Sequence, residues 1–181
     1  MSVITAWDSA VVMFVYNNLR CGFLDVFMKF ITAVGNKGII WIALAVILLL
    51  MGRKMRPMAF TLIFSLIISA VICSGIIKPL AGRIRPYDAL SIPLIINHMN
   101  DYSFPSGHTS AAFAAATAVF IYNKKAGAAL YIFAALMAFS RLYLSVHYPT
   151  DILAGAAIGI MCGVFANLTV RKLILKKTLK G

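Results

Sequence analysis

Five long uncharged runs dominate the pattern of apolar and polar positions along the chain. They cover residues 38–52, 57–77, 109–123, 126–140 and 152–170. Uncharged runs of this kind are typical of membrane-spanning helices. Three of the runs hold only about 15 residues, whereas a bilayer core needs roughly 20. We therefore expect the polar residues that flank these runs to lie in the interfacial zone of the membrane.

The N-terminal part of the chain has a weaker pattern. Residues 3–19 are uncharged apart from Asp8, and residues 23–34 alternate Asp25 and Lys29 with large apolar side chains. The second stretch is typical of an amphipathic helix at the membrane interface. The first stretch either crosses the membrane or lies on its surface, so the pattern predicts five or six crossings. We expect no cleavable signal peptide, because no basic region precedes the apolar residues.

The runs predict an all-α fold, an integral membrane helical bundle with five or six transmembrane helices, because lipid cannot satisfy exposed backbone polar groups. The composition agrees, since 62% of the residues are hydrophobic and 12% are charged, against about a quarter charged in soluble domains. We interpret the chain as a single domain. It has an N-terminal apolar and amphipathic segment at 1–35, a transmembrane core at 36–170 and a basic cytoplasmic tail at 171–181.

Two sets of small residues are interpreted as packing residues. Three glycines repeat every four residues in the last run, which predicts close contact between helices. They are Gly155, Gly159 and Gly163. The three cysteines show no CxxC spacing, so we predict neither a zinc site nor a disulfide framework. They are Cys21, Cys73 and Cys162.

The charge balance is strongly basic, with 17 Lys and Arg against 5 Asp and Glu. Such a balance is common in nucleic-acid-binding proteins. Here, however, most basic residues fill short gaps between apolar runs, where they set topology and contact anionic lipids. We therefore exclude nucleic acid as a partner, expect membrane lipids as neighbours and infer no obligate protein partner.

Helix parity places ten of the basic residues on one side of the membrane. No acidic residue accompanies them, so the positive-inside rule makes this side cytoplasmic. This predicts a multi-pass protein of the cell (inner) membrane. The ten residues are Arg53, Lys54, Arg56, Lys124, Lys125, Arg171, Lys172, Lys176, Lys177 and Lys180.

Three polar clusters fall on the opposite, extracytoplasmic face by the same parity. They are residues 78–86, 102–108 and 140–151. Together they supply four cations, two histidines and a carboxylate at one end of the bundle. Charged groups within a membrane are expensive and usually mark function. An anion with oxygens on several sides fits this set.

In the first cluster, Lys78, Arg83 and Arg85 offer one point charge and two planar forks. Guanidinium groups suit bidentate capture of phosphate oxygens. The alternative is a basic loop that contacts lipid headgroups, since basic residues at helix ends often snorkel. Phosphate binding is favoured because this loop faces away from the cytoplasm, against the topology rule.

In the second cluster, Ser106 directly precedes an alanine-rich run and is predicted to cap its helix. The helix N-terminus would then point free N–H groups outward, and Gly107 would let an anion approach the backbone. A purely structural cap is the alternative. His108 favours an anion site, because the positive end of the helix dipole disfavours a protonated imidazole unless an anion is bound.

In the third cluster, His147 and Asp151 are four residues apart, with Pro149 placed as the first residue of the last helix. Asp151 then falls in the first turn, where it can accept a hydrogen bond from the imidazole. A carboxylate that holds one ring nitrogen leaves the other as a nucleophile. A local capping interaction is the alternative.

The three clusters together resemble the type 2 phosphatidic acid phosphatase superfamily, which shares its site with vanadium haloperoxidases. The first family motif is Lys, six residues and Arg-Pro, which Lys78, Arg85 and Pro86 match. The second is Pro-Ser-Gly-His, found here at 105–108. The third is Ser-Arg, five residues, His, three residues and Asp, found here at 140–151.

The resemblance implies that His147 attacks phosphorus, that Asp151 orients it and that His108 protonates the leaving oxygen. A phosphohistidine would form on His147, and water would release phosphate with His108 acting as base. The resemblance implies no metal and no cofactor. It also implies a set of phosphate ligands, which are Lys78, Arg85, Ser106, Gly107 and Arg141.

A site at the outer leaflet favours an amphiphilic substrate whose tail stays in lipid. The compact length and amphipathic N-terminal part resemble bacterial undecaprenyl diphosphate phosphatases of this superfamily, so this lipid diphosphate is the first expectation. Phosphatidylglycerophosphate or phosphatidic acid is the alternative. An anion transporter is an alternative of another class, since cations in a helical bundle also mark ion pathways. The sequence assigns no role to Arg83, Asp88 or Asp101.

Overall fold

The computed structural model describes residues 3–178, apart from the side chains at positions 3, 4, 37, 177 and 178. All regular structure in this range is helical, which confirms the predicted all-α class. Of the predicted basic tail, residues 179–181 lie outside the described residues. The helices are α1 (Val3–Leu19), α2 (Gly22–Val34), α3 (Ile39–Leu50), α4 (Arg56–Ala70), α5 (Lys78–Ala81), α6 (Pro86–Ala89), α7 (Gly107–Tyr122), α8 (Lys124–Tyr143) and α9 (Pro149–Thr178).

Three helical stretches in the described part of the chain are long and apolar enough to cross a membrane. They are Arg56–Ala89, Lys124–Tyr143 and Pro149–Lys176. Helices α2 and α3 together form a fourth candidate, bent by 50° at the break between them. These spans agree with the predicted multi-pass membrane protein. The count of five or six crossings stays a prediction.

Helix α7 lies at the centre of the bundle and packs against α4, α8 and α9. It has 16 residues, fewer than the roughly 20 that cross a bilayer core. Its small side chains are surrounded by protein, and Ala112, Ala115 and Ala118 have no exposed surface. The alanine-rich run therefore serves close helix packing as well as apolar character.

The predicted close contact at the glycines of α9 is confirmed. A Cβ atom added at Gly155 would lie 2.6 Å from the backbone oxygen of Ser106. One added at Gly159 would lie 2.3 Å from the backbone oxygen of Ser110. Neither position has room for a side chain, so the start of α9 can lie directly against the start of α7.

The N-terminal helices cover the end of the bundle that carries the three polar clusters. An apolar core joins Val12 of α1 and Met28 of α2 to Tyr143 and Val146 near the end of α8. The Tyr143 hydroxyl also donates a hydrogen bond to Asp25 of α2 at 2.7 Å. Helix α1 is therefore packed against the bundle next to the candidate site.

The first polar cluster is positioned by an irregular end of the α4 span. A π-helical turn, Val71–Ile77, joins α4 to α5. Helix α5 ends at Gly82, whose φ of 56° lies in the left-handed region, where glycine is favoured. The chain then continues in an extended conformation at Arg85 before α6 begins. This turn releases Arg83 and Arg85 from the helix so that they can contact other elements.

Candidate active site

The three polar clusters meet at one cavity of about 810 Å³. Six of the eight predicted site residues line it, namely Lys78, Arg85, Gly107, His108, Arg141 and His147. The other two, Ser106 and Asp151, are fully buried. Much of the remaining wall is apolar and comes from α3 and α4, for example Ile42, Val46 and Ile63. The cavity thus joins a polar end, which holds both predicted imidazoles, to an apolar wall.

His147 lies between α8 and α9 and is 1% exposed. Its Nδ1 is 3.4 Å from Oδ2 of Asp151, although the alignment falls short of a hydrogen bond. Its Nε2 is 3.4 Å from Nη1 of Arg85. One ring nitrogen therefore faces the carboxylate, and the other faces a predicted phosphate ligand.

The protonation state of His147 follows from its surroundings. Burial is the largest effect and, together with the charges of Arg141 and Arg85, it lowers the pKa of His147 to about 3, against the opposing effect of Asp151. The imidazole is then neutral at neutral pH. A neutral imidazole keeps a lone pair on one ring nitrogen, as a nucleophile requires.

The Asp151 carboxylate accepts hydrogen bonds on both of its oxygens. Oδ2 accepts from the Ser103 hydroxyl at 2.5 Å and from the Tyr148 backbone N–H at 2.9 Å. Oδ1 accepts from Nη1 of Arg83 at 2.6 Å. Asp151 lies in the first turn of α9, where its charge also complements the helix dipole. These contacts fix the plane of the carboxylate beside His147.

Ser106 caps α7, as predicted from the sequence. Its hydroxyl oxygen accepts a hydrogen bond from the Thr109 hydroxyl at 2.9 Å and a longer one from the Thr109 backbone N–H at 3.5 Å. The Ser106 backbone N–H donates to the carbonyl of Asp151 at 3.0 Å, which joins the second and third clusters. Gly107 and His108 form the first turn of α7, where free N–H groups and the helix dipole favour an anion.

Lys78 and Arg85 are both buried, and both contact the same carboxylate. The Lys78 ammonium pairs with Oδ2 of Asp101, and Nη2 of Arg85 donates to Oδ1 at 2.6 Å. The Asp101 side chain is 55% exposed. Burial raises the pKa of Asp101, but the Lys78 hydrogen bond and the charge of Arg85 outweigh it and lower the pKa to about 2. An ionised carboxylate thus holds the two cations that the motif assigns to phosphate.

Arg141 is fully buried and forms no ion pair with any carboxylate among residues 3–178. Its Nη1 donates to the Thr32 hydroxyl at 2.7 Å, and its Nη2 lies 3.3 Å from the sulfur of Met99. Its Nε has no hydrogen-bond partner in the described structure. A buried cation without a counter-ion is costly, so this position favours the entry of an anion.

Sequence reasoning gave no role, or a different one, to several residues that complete the site. Arg83 bridges Asp151 to Asp8 of α1, whose carboxylate is fully buried. Asp8 carried a signal, because it is the lone charge in an uncharged run and such charges usually have a role. Ser103 gave no such signal. Asp88, which was also left without a role, forms an exposed pair with His98 at 3.2 Å and does not line the cavity.

No group of three or more His, Cys, Asp or Glu side chains within residues 3–178 is arranged to hold a metal ion. The polar end of the cavity is dominated by cations, which suit an oxyanion far better than a metal cation. Chemistry without a metal stays a prediction.

Comparison with known proteins identifies relatives along most of the chain. The chain is 30% identical over 152 residues to the bacitracin transport permease protein BcrC of Bacillus licheniformis, and the alignment covers 83% of this chain and 70% of the relative. It is also 30% identical over 146 residues to an undecaprenyl-diphosphatase of Sulfolobus acidocaldarius, covering 80% of this chain and 68% of the relative.

The fold also matches a solved membrane protein. The crystal structure of Aquifex aeolicus LpxE superposes with a TM-score of 0.78 and 28% sequence identity, covering 92% of this chain and 98% of that chain. A family model described as the PAP2 superfamily matches residues 58–175, more than half of the chain. This range contains all three polar clusters. The chain therefore belongs to the PAP2 superfamily of lipid phosphatases, as its motifs predict.

Proposed function

We propose that this protein hydrolyses a lipid phosphate or diphosphate at the extracytoplasmic face of the cell membrane, through a phosphohistidine on His147. The observation that carries the proposal is that one cavity is lined both by a neutral, buried His147 and by a buried Arg141 that has no counter-ion among residues 3–178. The first group can attack phosphorus. The second can neutralise charge on the phosphate oxygens.

Binding begins when the substrate phosphate replaces the Asp101 carboxylate on Lys78 and Arg85. The phosphate then also contacts Arg141 and the free N–H groups at the start of α7. Phosphoryl transfer spreads charge over three equatorial oxygens, and fixed donors aimed at that charge are the largest source of catalysis. Three cations and a helix N-terminus supply such donors.

In the first chemical step, Nε2 of His147 forms a bond to phosphorus while the bond from phosphorus to the leaving oxygen breaks. Nδ1 faces Asp151, which leaves Nε2 as the reacting nitrogen. His108 donates a proton to the leaving oxygen, because the bound anion favours its protonated form at the helix N-terminus. Water activated by His108 then attacks phosphorus, releases phosphate and restores the free imidazole of His147.

The cavity wall supports a substrate with a long apolar tail. Residues of α3 and α4 continue from the polar end along an apolar face that includes Val46, Leu66 and Ile67. Undecaprenyl diphosphate is the first candidate, and the Sulfolobus acidocaldarius relative is named for hydrolysis of that lipid. Phosphatidylglycerophosphate and phosphatidic acid carry the same reacting group and are the alternatives.

An anion transporter is the second candidate function, and the Bacillus licheniformis relative is named as a transport permease. Transport needs cations in the bundle but makes no use of an oriented imidazole. The hydrogen-bonded Asp151 beside His147 therefore favours the enzyme.

The deciding experiment measures phosphate release by the purified protein in detergent. The substrates are undecaprenyl diphosphate, phosphatidylglycerophosphate, phosphatidic acid and a soluble phosphate ester, compared by kcat/KM. We expect the lipid substrates to be preferred, with undecaprenyl diphosphate first, and His147→Ala to abolish turnover. His98→Ala is the matched control, since His98 is exposed and does not line the cavity. Wild-type protein that releases no phosphate, or His147→Ala with full activity, would refute the proposal.

A further inference from the structure

Arg83 is the one cation of the three polar clusters that does not line the cavity. Its guanidinium instead lies between two buried carboxylates, those of Asp151 and Asp8. We infer that Arg83 and Asp8 are positioning residues, which hold the Asp151 carboxylate ionised and aligned so that His147 is oriented for attack. This inference rests on the proposed function. It also makes the N-terminal helix part of the catalytic apparatus.

The two oxygens of Asp151 have different partners, because Arg83 binds Oδ1 and His147 lies beside Oδ2. Nη1 of Arg83 donates to Oδ1 of Asp151 at 2.6 Å and to the Thr150 hydroxyl at 2.8 Å. Oδ2 of Asp151 is left to the contact with His147 and to its own hydrogen bonds. One oxygen is thus anchored to the scaffold, while the other faces the imidazole.

Asp8 in turn anchors Arg83. Its Oδ2 accepts from Nη2 of Arg83 at 2.6 Å. It also accepts from Thr150, by Oδ1 from the backbone N–H at 3.0 Å and by Oδ2 from the hydroxyl at 2.5 Å. The Arg83 guanidinium carbon lies 3.9 Å from the centroid of the Tyr148 ring. Both Nη1 and Nη2 of Arg83 donate hydrogen bonds, and the Tyr148 ring covers one face of the guanidinium. These contacts fix its orientation.

Burial explains why the arrangement needs both charges. Asp8 and Asp151 have no exposed surface, and a buried carboxylate without a cation tends to take up a proton. A protonated Asp151 would no longer hold the imidazole electrostatically. Arg83 keeps Asp151 charged, and Asp8 keeps Arg83 in place. The hydrogen bonds from Thr150 to Asp8 also join α1 to the residue that immediately precedes Asp151.

Asp8 lies far in sequence from the residues that it helps to position. Asp8 lies in α1, outside the matched range of residues 58–175 and outside all three motifs. No local pattern joins it to Arg83, which is 75 residues away. A residue of the N-terminal segment is thus linked through Arg83 to the carboxylate beside the proposed nucleophile.

The test compares Asp8→Asn, Arg83→Gln and Arg83→Lys in the phosphate-release assay, normalised to monodisperse protein. We expect kcat to fall about ten- to a hundredfold in Asp8→Asn and Arg83→Gln, as is typical when a partner that orients a catalytic group is lost. KM should stay within about twofold, because neither residue lines the cavity. Arg83→Lys should recover part of kcat, since an ammonium can still pair with one carboxylate.

A double-mutant cycle separates positioning from loss of folding. Asp8 acts through Arg83, so Asp8→Asn should lower kcat in the wild-type background and have almost no further effect in Arg83→Gln. Asp25→Asn is the matched control, because Asp25 is another carboxylate of the N-terminal helices and its hydrogen bond goes to Tyr143. The control should keep kcat even if its melting temperature falls.

The outcomes distinguish this inference from the proposed function. Active wild-type protein with unchanged kcat in Asp8→Asn and Arg83→Gln would overturn the inference and leave the function intact. Additive losses in the cycle, or losses of kcat that only follow the melting temperature, would also overturn it. Wild-type protein without phosphatase activity would overturn the function, and the inference with it.

Discussion

Two groups of charged side chains flank the cavity, and they differ in how exposed their carboxylates are. The inner cluster consists of Asp8, Arg83 and Asp151. The exchange cluster consists of Lys78, Arg85 and Asp101. Both carboxylates of the inner cluster have no exposed surface, whereas the carboxylate of the exchange cluster is 55% exposed. Both clusters pair anions with cations, but only the exchange cluster has an exposed carboxylate.

This difference predicts that the ion pairs of the inner cluster are permanent and that those of the exchange cluster can be replaced by substrate. Breaking a buried ion pair leaves an uncompensated charge and costs about 3–5 kcal/mol. The carboxylate of Asp101 is half-exposed and can be solvated when it leaves. Lys78 and Arg85 are buried, so the incoming phosphate must take its place as their counter-ion. We therefore expect the inner cluster to stay intact through the reaction. The exchange cluster should give up Asp101 when the substrate phosphate binds to Lys78 and Arg85.

The largest expected effect comes from the inner cluster. Asp151→Asn should lower kcat by about 10⁴-fold, because an amide does not hold the imidazole as the carboxylate does. KM should change little, since Asp151 does not line the cavity. Steady-state kinetics on a lipid phosphate provide the measurement, with the exposed Asp88→Asn as control. A loss confined to KM would place Asp151 in binding and remove the distinction between the clusters.

His108 belongs to neither cluster, so its variant separates acid catalysis from positioning. His108→Ala should lower kcat about 10³-fold for lipid substrates, whose leaving oxygen needs a proton. The loss should be smaller for p-nitrophenyl phosphate, whose leaving group needs no acid. The ratio of the two rates is the measurement. Equal losses for both substrates, or the same residual activity as His147→Ala, would contradict the assigned roles.

A substitution in the exchange cluster should have a smaller effect, and it should strengthen the binding of substrate rather than weaken catalysis. Asp101→Asn should lower KM and the vanadate inhibition constant by about three- to tenfold, because the amide competes less well for Lys78 and Arg85. The change in kcat should be minor. Inhibition curves for wild-type and variant protein, with Asp88→Asn beside them, provide the measurement. A higher KM would mean that Asp101 organises the two cations for substrate.

The smallest expected effect concerns pH. The pKa of Asp101 is lowered to about 2 from 3.8, so its ion pairs are fully formed above pH 3.8 and are lost as the pH falls through about 2. Asp101 should then compete with phosphate as an ionised carboxylate throughout neutral and mildly acidic pH. The ratio of vanadate inhibition constants for wild-type and Asp101→Asn protein should stay flat between about pH 5 and pH 8. A ratio that approaches one within that window would show that Asp101 titrates there.

It was predictable from the sequence that the site residues lie together, because motif spacing identifies them and helix parity places them at one end of the bundle. Parity brought Lys78, His108 and His147 to one end of the bundle, and the structure places all three at one cavity. The cap at Ser106 and the close approach at Gly155 were predictable from local rules for helix termini and small residues.

The ion pairs around the site were not predictable, because they join residues that are distant in sequence. Arg83 reaches Asp8 across 75 residues and Asp151 across 68. Asp101 lies in the irregular segment after α6 and reaches Lys78 across 23 residues. Periodicity and motif spacing describe one element at a time, so they identified these charges without giving their partners.

The most direct test of the proposed reaction is to trap the phosphorylated protein. Rapid acid-free quenching after mixing with a phosphorus-labelled lipid substrate, followed by peptide mapping, would locate the label. We predict an acid-labile, base-stable phosphate on the peptide that contains His147, formed in wild-type protein and in the His98→Ala control but absent from His147→Ala. A label on any other residue, or full turnover with no label and a single inversion at phosphorus, would contradict the account.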